Sequence, residues 1–368
     1  MSKVEDIWDD WLSSKAAGTR VKYEYYLDMF CKRFDTSPRE LYAQRVRDIE
    51  SGDRLDHLNV ERMVKRFMRE MRDGVSPWGK GPNKDRPYGA SSCRSLSKAV
   101  KEFFKALDPT LKLQFEAEDF PRGAKRGQDA VKVSEIKKLY DSVGNEMKLR
   151  NRALLMFLKD AGVRVSDAGQ LDVGDYERAR VIREGEETFR AFQPIETVKT
   201  KELAFIHVGP EAVKAVDEYL EERRSEEGPL SPSSPLFVDR AGGRFAQNGI
   251  SNIFIRLSEK LPQNGRKISA HSLRKAFQTR LASAGVPLYW VLKFMGKSVS
   301  TYSRPEDVSE DGEQDLLTEK YIDAYDALRV FKVAEVRAED VEGLKHRIAV
   351  LEKLKIDDVI PRVERQYE

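Results

Sequence analysis

The stretch HSLRKAFQTRLASAGVPLYWVLKFMGKSVSTYSRP, residues 271–305, combines helical periodicity with a dense set of polar side chains. It holds His271, one of only four histidines in the chain, and Arg274 follows three positions later. Residues three apart lie on the same face of a helix, so both side chains can reach one anionic group. The stretch then runs through Gly296 and Lys297 to a tyrosine, Tyr302.

The whole chain has 368 residues, of which 40% are hydrophobic and 35% are charged. This composition is typical of a protein with a folded core, and the length favours two domains. No run of about 18 apolar residues is present, which predicts no membrane span. The first residues, MSKVEDIWDDWLSSK, lack the basic flank and apolar core of a secretory signal, so we expect a cytoplasmic location. Cys31 and Cys93 form no CxxC motif, which predicts free thiols.

Residues 1–120 predict an all-helical domain. In GTRVKYEYYLDMFCKRF an apolar stripe is expected to include Val21, Leu27 and Phe30, and a later helix is expected from Ser92 to Leu107. Between Arg62 and Lys105 the chain has twelve Lys and Arg residues against four Asp and Glu. This local excess of positive charge predicts a surface that faces a polyanion. Residues 121–130, which are basic and contain glycine, are expected to be a linker.

Residues 131–330 predict a second domain that is mostly helical with a small antiparallel sheet. The segment FRAFQPIETVKTKELAFIHVG, residues 189–209, is rich in β-branched and aromatic residues and predicts strands with a turn around Lys199 to Lys201. Residues 331–368 are expected to form a helical tail. Its apolar residues Val341, Leu344 and Ile348 suit a short packing seam on the same chain or on a neighbouring protomer.

Four basic motifs follow one another along the second domain: AGVRVSDAGQL with Arg164, TVKTK with Lys199, AHSLRKAF with His271 and Arg274, and MGKS with Lys297. Tyrosines follow in STYSRP and LTEKYIDAY. In this order the motifs resemble those of the tyrosine recombinases, the phage integrase family. The resemblance implies a mainly α fold with a small antiparallel sheet, in which an all-α core-binding domain and an α+β catalytic domain form a clamp around DNA.

A phosphodiester is an anion, and attack on it builds charge on its nonbridging oxygens. Guanidinium groups suit such a site because they stay charged and offer paired donors, so Arg164 and Arg274 are the expected phosphate clamp. His271 can donate to an oxygen or accept a proton. By the resemblance, Lys199 is the general acid, with Lys201 as the alternative on the same turn.

The resemblance further implies a tyrosine nucleophile and a 3′-phosphotyrosyl intermediate, which conserves the energy of the broken bond and needs no ATP, metal or other cofactor. Tyr302, just before an Arg-Pro pair as in some archaeal integrases, is the preferred nucleophile, and Tyr321 in TEKY is the alternative. Lys297 stands where the family usually has histidine or tryptophan. The acidic stretch from Glu306 to Glu319 is expected to be a loop that turns away from DNA.

The resulting hypothesis is a site-specific recombinase or integrase of an archaeal mobile element. It would act on double-stranded DNA with a specific target site, as a homotetramer on two sites. A type IB topoisomerase-like strand transferase and a catalytically impaired DNA-binding relative are the alternatives. The expected DNA contacts are Arg62, Lys65, Arg66, Arg69, Arg94, Lys98, Lys101, Arg122, Lys125, Arg126, Lys201 and Lys275.

Overall fold

The computed structural model describes residues 3–53, 58–74, 87–116, 119–120, 130–246, 248–261, 268–299, 302 and 312–331. The chain divides into two compact units, residues 1–127 and 128–368. The boundary falls within the segment predicted as a linker. Each unit has its own apolar core.

The described part of the first unit is helical. Its helices are α1 (Lys3–Ser13), α2 (Ala17–Arg33), α3 (Pro38–Glu50), α4 (Asn59–Asp73) and α5 (Ala90–Leu107). The expectation for Val21 is wrong, because its side chain is 62% exposed. The buried face of α2 instead carries Tyr23, Tyr26, Leu27 and Phe30, whose spacing of three, one and three places them on one side of the helix.

The second unit combines helices with two small antiparallel sheets. Its elements are α6 (Val133–Asp141), α7 (Lys148–Ala161), α8 (Val165–Ala168), α9 (Val173–Arg178), β1 (Arg180–Glu184), β2 (Glu187–Ala191), β3 (Ile195–Glu196), β4 (Leu203–Ala204), β5 (His207–Val208), α10 (Pro210–Glu227), α11 (Gly249–Glu259), α12 (Ala270–Ser283), α13 (Leu288–Phe294) and α14 (Glu313–Asp323). One sheet has the strand order β1-β2-β5, and β3 pairs with β4 in the other. The predicted mainly α fold with a small antiparallel sheet is confirmed.

Helix α7 brings two parts of the second unit together. All residues from Ala153 to Ala161 on this helix are buried, and the helix ends at Gly162, whose φ is +60°. A Cβ atom at Gly162 would lie 2.3 Å from Cδ1 of Phe277 on α12, so only glycine permits this close approach. The approach places the chain that follows α7, including Arg164, next to the helix that carries His271 and Arg274.

The acidic stretch differs from its prediction. From residue 313 it is helix α14 rather than a loop, and Asp315 pairs with Arg180 at 2.5 Å. Glu313 pairs with Lys293 at 3.2 Å. These carboxylates therefore have cationic partners within the same unit. Residues 306–311 and the predicted tail after Phe331 lie outside the described residues.

Helix length and hydropathy also bear on the membrane prediction. Within the described ranges, every helix is too short or too polar to cross a bilayer.

Candidate active site

Arg164 occupies the short connection between α7 and α8, and its side chain reaches two other parts of the unit. Nη1 donates to the carbonyl oxygen of Gly296 at 3.3 Å and lies 3.5 Å from Oγ1 of Thr200. The same nitrogen is 3.8 Å from Oδ2 of Asp167. Arg164 is therefore held in place by a loop after α13 and by the β3–β4 hairpin.

Arg274 lies on α12 with only 3% of its surface exposed. Its Nη1 donates to the carbonyl oxygen of Gly162 at 2.9 Å, whereas Nη2 is buried and has no hydrogen-bond partner within the described residues. Burial lowers the pKa of Arg274 to about 10, and the nearby charge of Arg164 adds to the effect. A buried donor without a partner is costly, and an anionic oxygen would satisfy it.

His271 is exposed, one helical turn before Arg274. Burial of part of its ring lowers the pKa of His271, and the positive charges of Arg274, Lys297 and Arg164 lower it further. The imidazole is consequently neutral near pH 7 and able to accept a proton. The three named cations and His271 therefore share one electrostatic neighbourhood, although they come from three separate segments of the chain.

Lys297 follows directly after a tight turn at Gly296, whose φ is +58°. A Cβ atom at Gly296 would lie 2.4 Å from Cγ2 of Thr197, so the turn fits closely against the β3–β4 hairpin. The ammonium of Lys297 donates to Oε1 of Gln278 on α12 at 2.8 Å. Burial lowers the pKa of Lys297, and the charges of Arg274 and Arg164 act in the same direction.

The β3–β4 hairpin carries the two predicted lysines at its turn, as the sequence indicated. Lys201 has a φ of +59° and pairs with Glu196 at 3.0 Å. Lys199 is exposed and makes no hydrogen bond or ion pair with any other residue that the structure describes. Of the two, Lys199 therefore has the ammonium that is available to a ligand.

The two candidate tyrosines have opposite environments. Tyr302 is 45% exposed, and its backbone nitrogen donates to the carbonyl oxygen of Val299 at 2.9 Å. Tyr321 is 1% exposed, stacks on the ring of His207, and its hydroxyl donates to the carbonyl oxygen of Asp160 at 3.2 Å. Burial raises the pKa of Tyr321 well above its usual value. The structure thus places Tyr321 in the core and away from solvent.

Parts of this chain are similar to known proteins. Residues 130–304 match the model of the phage integrase family. The matched segment, a little under half of the chain, is similar to the tyrosine recombinases. Tyrosine recombinase XerD of Mycobacterium leprae is 31% identical over 193 residues, which are 49% of this chain and just over half, 57%, of that protein. Tyrosine recombinase XerC of Roseiflexus sp. is 25% identical over 297 residues, 78% of this chain and 82% of that protein.

A solved structure is also similar to this chain. It is the crystal structure of XerH site-specific recombinase bound to palindromic difH substrate in a post-cleavage complex. The identity is 18% and the TM-score is 0.48, with 86% of this chain and 83% of that chain covered.

The structure adds three residues to the candidate site. Asp167 is 1% exposed, and its Oδ1 accepts a hydrogen bond of 3.0 Å from the backbone nitrogen of Val198 in the hairpin. Thr200 donates to the carbonyl oxygen of Gly296 at 3.4 Å, and Gln278 accepts from Lys297. Helical spacing could have indicated Asp167, three residues after Arg164, and Gln278, four residues after Arg274. No local signal indicated Thr200.

The predicted DNA contacts fall into three groups. The exposed residues are Arg62, Arg66, Arg69, Arg94, Lys98, Lys201 and Lys275. Two others contact neighbours in the first unit: Lys65 pairs with Asp119 at 2.8 Å, and Lys101 lies over the ring of Phe115 at 4.9 Å. Arg122, Lys125 and Arg126 lie outside the described residues. The exposed cations of α4 and α5 therefore remain the predicted DNA-facing set of the first unit.

Proposed function

We propose that this chain is a site-specific DNA recombinase of the integrase type, which cleaves and rejoins DNA strands through a 3′-phosphotyrosyl intermediate. The observation that carries the proposal is the convergence of three cations near His271. Arg164 donates to the loop that carries Lys297, and Lys297 donates to the helix that carries Arg274 and His271. Cations held together in this way bind a phosphate whose negative charge grows during attack. The match of residues 130–304 to the phage integrase family supports the same reaction.

In the proposed reaction the hydroxyl oxygen of Tyr302 attacks the phosphorus of the scissile phosphodiester. A new bond forms between phosphorus and the tyrosine oxygen, and the bond between phosphorus and the 5′ oxygen breaks. Neutral His271 accepts the proton of the tyrosine hydroxyl, and Lys199 donates a proton to the departing 5′ oxygen. Attack by a 5′ hydroxyl of a second strand on the phosphotyrosine reverses these steps.

The basic residues of the site divide the task of holding the phosphate. Arg274 would bind a nonbridging oxygen through its unsatisfied Nη2, and Arg164 would bind the other. Lys297 would donate to an oxygen of the same phosphate with one of its remaining hydrogens. Tyr302 is preferred to Tyr321 as the nucleophile because its side chain is 45% exposed, against 1% for Tyr321.

The wider organisation is part of the same proposal. Residues 1–120 would form a core-binding domain, residues 121–130 a linker on the DNA backbone, and residues 131–330 the catalytic domain. The partner would be double-stranded DNA with a specific target site, bound by a homotetramer on two sites, with residues 331–368 as a contact between protomers. An archaeal mobile element as the source, and a DNA-associated location in the cytoplasm, complete the proposal.

A covalent trapping experiment tests the reaction. Target DNA is first selected from a random duplex pool by binding to the wild-type protein, and is then offered as a nicked duplex that releases the short 5′ product. We expect a covalent adduct of protein and DNA that Tyr302→Phe does not form and Tyr321→Phe does. An adduct that depends on Tyr321 moves the nucleophile, and no adduct with wild type refutes catalysis.

A catalytically impaired relative is the second candidate, because Lys297 stands where the family usually has histidine or tryptophan. Specific binding to the selected DNA without an adduct would support this candidate. A relaxation assay on a supercoiled plasmid that lacks the selected site distinguishes the topoisomerase-like alternative from a site-specific recombinase. Its relaxation by wild type, lost in Tyr302→Phe, would favour a topoisomerase.

A further inference from the structure

Gln278 belongs to the polar face of α12 that carries the candidate site. It follows His271 by seven residues and Arg274 by four, so the three side chains share one face of the helix. Its amide oxygen lies 2.8 Å from the ammonium nitrogen of Lys297, and the pair is partly buried. The hydrogen bond therefore links α12 to the loop that begins at Gly296.

The chemistry of this acceptor matters because of the charges around it. Arg274 and Arg164 both act electrostatically on Lys297, and within the described residues no carboxylate pairs with its ammonium. An amide oxygen takes up one of the three ammonium hydrogens without neutralising the charge. A carboxylate in the same place would form an ion pair and compete with a phosphate for the cation.

The hydrogen bond to Gln278 opposes two tendencies of the Lys297 side chain. A lysine side chain has a flexible four-carbon stem, and it has more conformational freedom when its ammonium is solvated than when it is hydrogen-bonded to the protein. The repulsion from Arg274 and Arg164 favours a rotamer that points away from them. An acceptor on the His271 face of α12 opposes both tendencies and keeps the ammonium near the other two cations.

We propose that Gln278 is a positioning residue of the strand-transfer site, which holds the Lys297 ammonium beside Arg274 and leaves its positive charge free for a phosphate oxygen. This inference rests on the proposed function, and it assigns to a neutral glutamine the task of orienting the lysine. Gln278 itself does not touch the phosphate. Its effect on the reaction is transmitted through Lys297.

A double-mutant cycle on the rate of adduct formation tests this transmission. Gln278→Met keeps the length of the side chain and removes the acceptor, and Lys297→Met removes the ammonium. We expect each single variant to react about tenfold more slowly than wild type, the order expected for loss of one charge-assisted hydrogen bond. The double variant should match Lys297→Met, because Gln278 has no role without the lysine. Independent, multiplicative effects would overturn the proposal.

The variant Gln278→Glu distinguishes a role in positioning Lys297 from a purely structural role in the fold. The carboxylate offsets the repulsion among the three cations, so we expect the Tm of the protein without DNA to rise by about 2–4 °C. Adduct formation should nevertheless be slower, and the alkaline limb of its pH–rate profile should move to higher pH because the carboxylate keeps Lys297 protonated. A lower Tm, a slower reaction and an unchanged pH profile together would indicate a structural role and refute positioning.

Two further measurements keep the outcomes distinct. Thr279→Ala, an exposed neighbour on α12, is the matched control and should react at the wild-type rate. If wild type forms no adduct, the proposed function fails. Thermal unfolding of wild type, the two methionine variants and the double variant still tests the Gln278–Lys297 pair. Coupling between the two substitutions then supports the pair, and additive changes in stability reject it.

Discussion

The carboxylate of Asp167 contacts both the hairpin that carries Lys199 and the side chain of Arg164. Oδ1 of Asp167 accepts from the backbone nitrogen of Val198 at 3.0 Å, and Oδ2 lies 3.8 Å from Nη1 of Arg164. One buried side chain therefore positions both the proposed general acid and one half of the phosphate clamp. The electrostatic effect of Asp167 also extends to Arg274, whose pKa it raises against the larger effects of burial and Arg164.

Asp167→Ala should impair both stability and strand cleavage. Loss of the buried acceptor leaves the Val198 nitrogen without its partner, so the free energy of unfolding should fall by about 1–3 kcal/mol. Adduct formation should fall by a larger factor than in Asp175→Ala, which removes a helix cap at α9 instead. Urea denaturation and the nicked-duplex assay measure the two effects. Equal cleavage by the two variants at the same folded fraction would exclude a special role for Asp167.

Gly296→Ala should disturb the loop that holds Lys297. The new Cβ would lie 2.4 Å from Cγ2 of Thr197 and 2.9 Å from Cβ of Ala204, in addition to the strain of a positive φ. Gly242→Ala is the matched control, because Gly242 also has a positive φ and has no atom within 4 Å of the added carbon. We expect Gly296→Ala to lose at least about 1 kcal/mol more unfolding free energy than the control. Similar losses would mean that the hairpin contact is not tight.

Tyr321→Phe should weaken the fold without preventing the adduct. The hydroxyl donates to the carbonyl oxygen of Asp160 in the core, so its removal should lower the free energy of unfolding by about 1 kcal/mol. Thermal unfolding measures this loss, and the nicked-duplex assay measures the adduct. A variant with wild-type stability and no adduct would contradict the core role inferred for Tyr321.

His207 should make the second unit sensitive to mild acid. Its ring is buried between the carbonyl oxygen of Phe205 and the hydroxyl of Thr318, and burial lowers its pKa from 6.5 to about 4. Between these pH values the unfolded chain binds a proton that the folded protein does not bind. The contribution of neutral His207 to the free energy of unfolding is complete above pH 6.5. It is lost as the pH falls towards 4, and the loss is on the order of 3 kcal/mol.

Comparison with His207→Gln isolates this effect from other titrating groups. We expect the variant to be less stable at pH 7.5 and to lose less stability than wild type between pH 6.5 and pH 4. Urea denaturation across this range measures both proteins. Parallel pH profiles would show that His207 does not contribute.

The exposed cations Arg94 and Lys98 of the first unit should contribute to DNA binding by contacting phosphate groups. Arg94 and Lys98 are exposed and four residues apart on α5, so both can contact one stretch of backbone. The double alanine variant should reduce the slope of log affinity against log salt concentration by up to about 2, because each phosphate contact contributes about 0.9. Arg39→Ala, an exposed cation on α3, is the control. An unchanged slope in the double variant would remove these residues from the interface.

Local patterns in the sequence determined much of the fold and half of the site. The spacing of His271 and Arg274 placed both on one face of α12, and the β-rich segment around Lys199 predicted the hairpin that the structure contains. These predictions succeed because they depend on helical and strand periodicity, which nearby residues set. The same reasoning was wrong for Val21, because an apolar residue near the end of a stripe is buried only if a neighbouring element covers it.

Long-range packing decided the remainder. The close approach of Gly162 to Phe277 brings Arg164 to α12, and the carbonyl oxygen of Gly296 then joins Arg164 to the hairpin. Sequence alone left Tyr302 and Tyr321 as alternatives, and only the tertiary structure showed that the core encloses Tyr321. Burial and hydrogen bonding between distant segments depend on how complete elements pack, and no local pattern of residues specifies that.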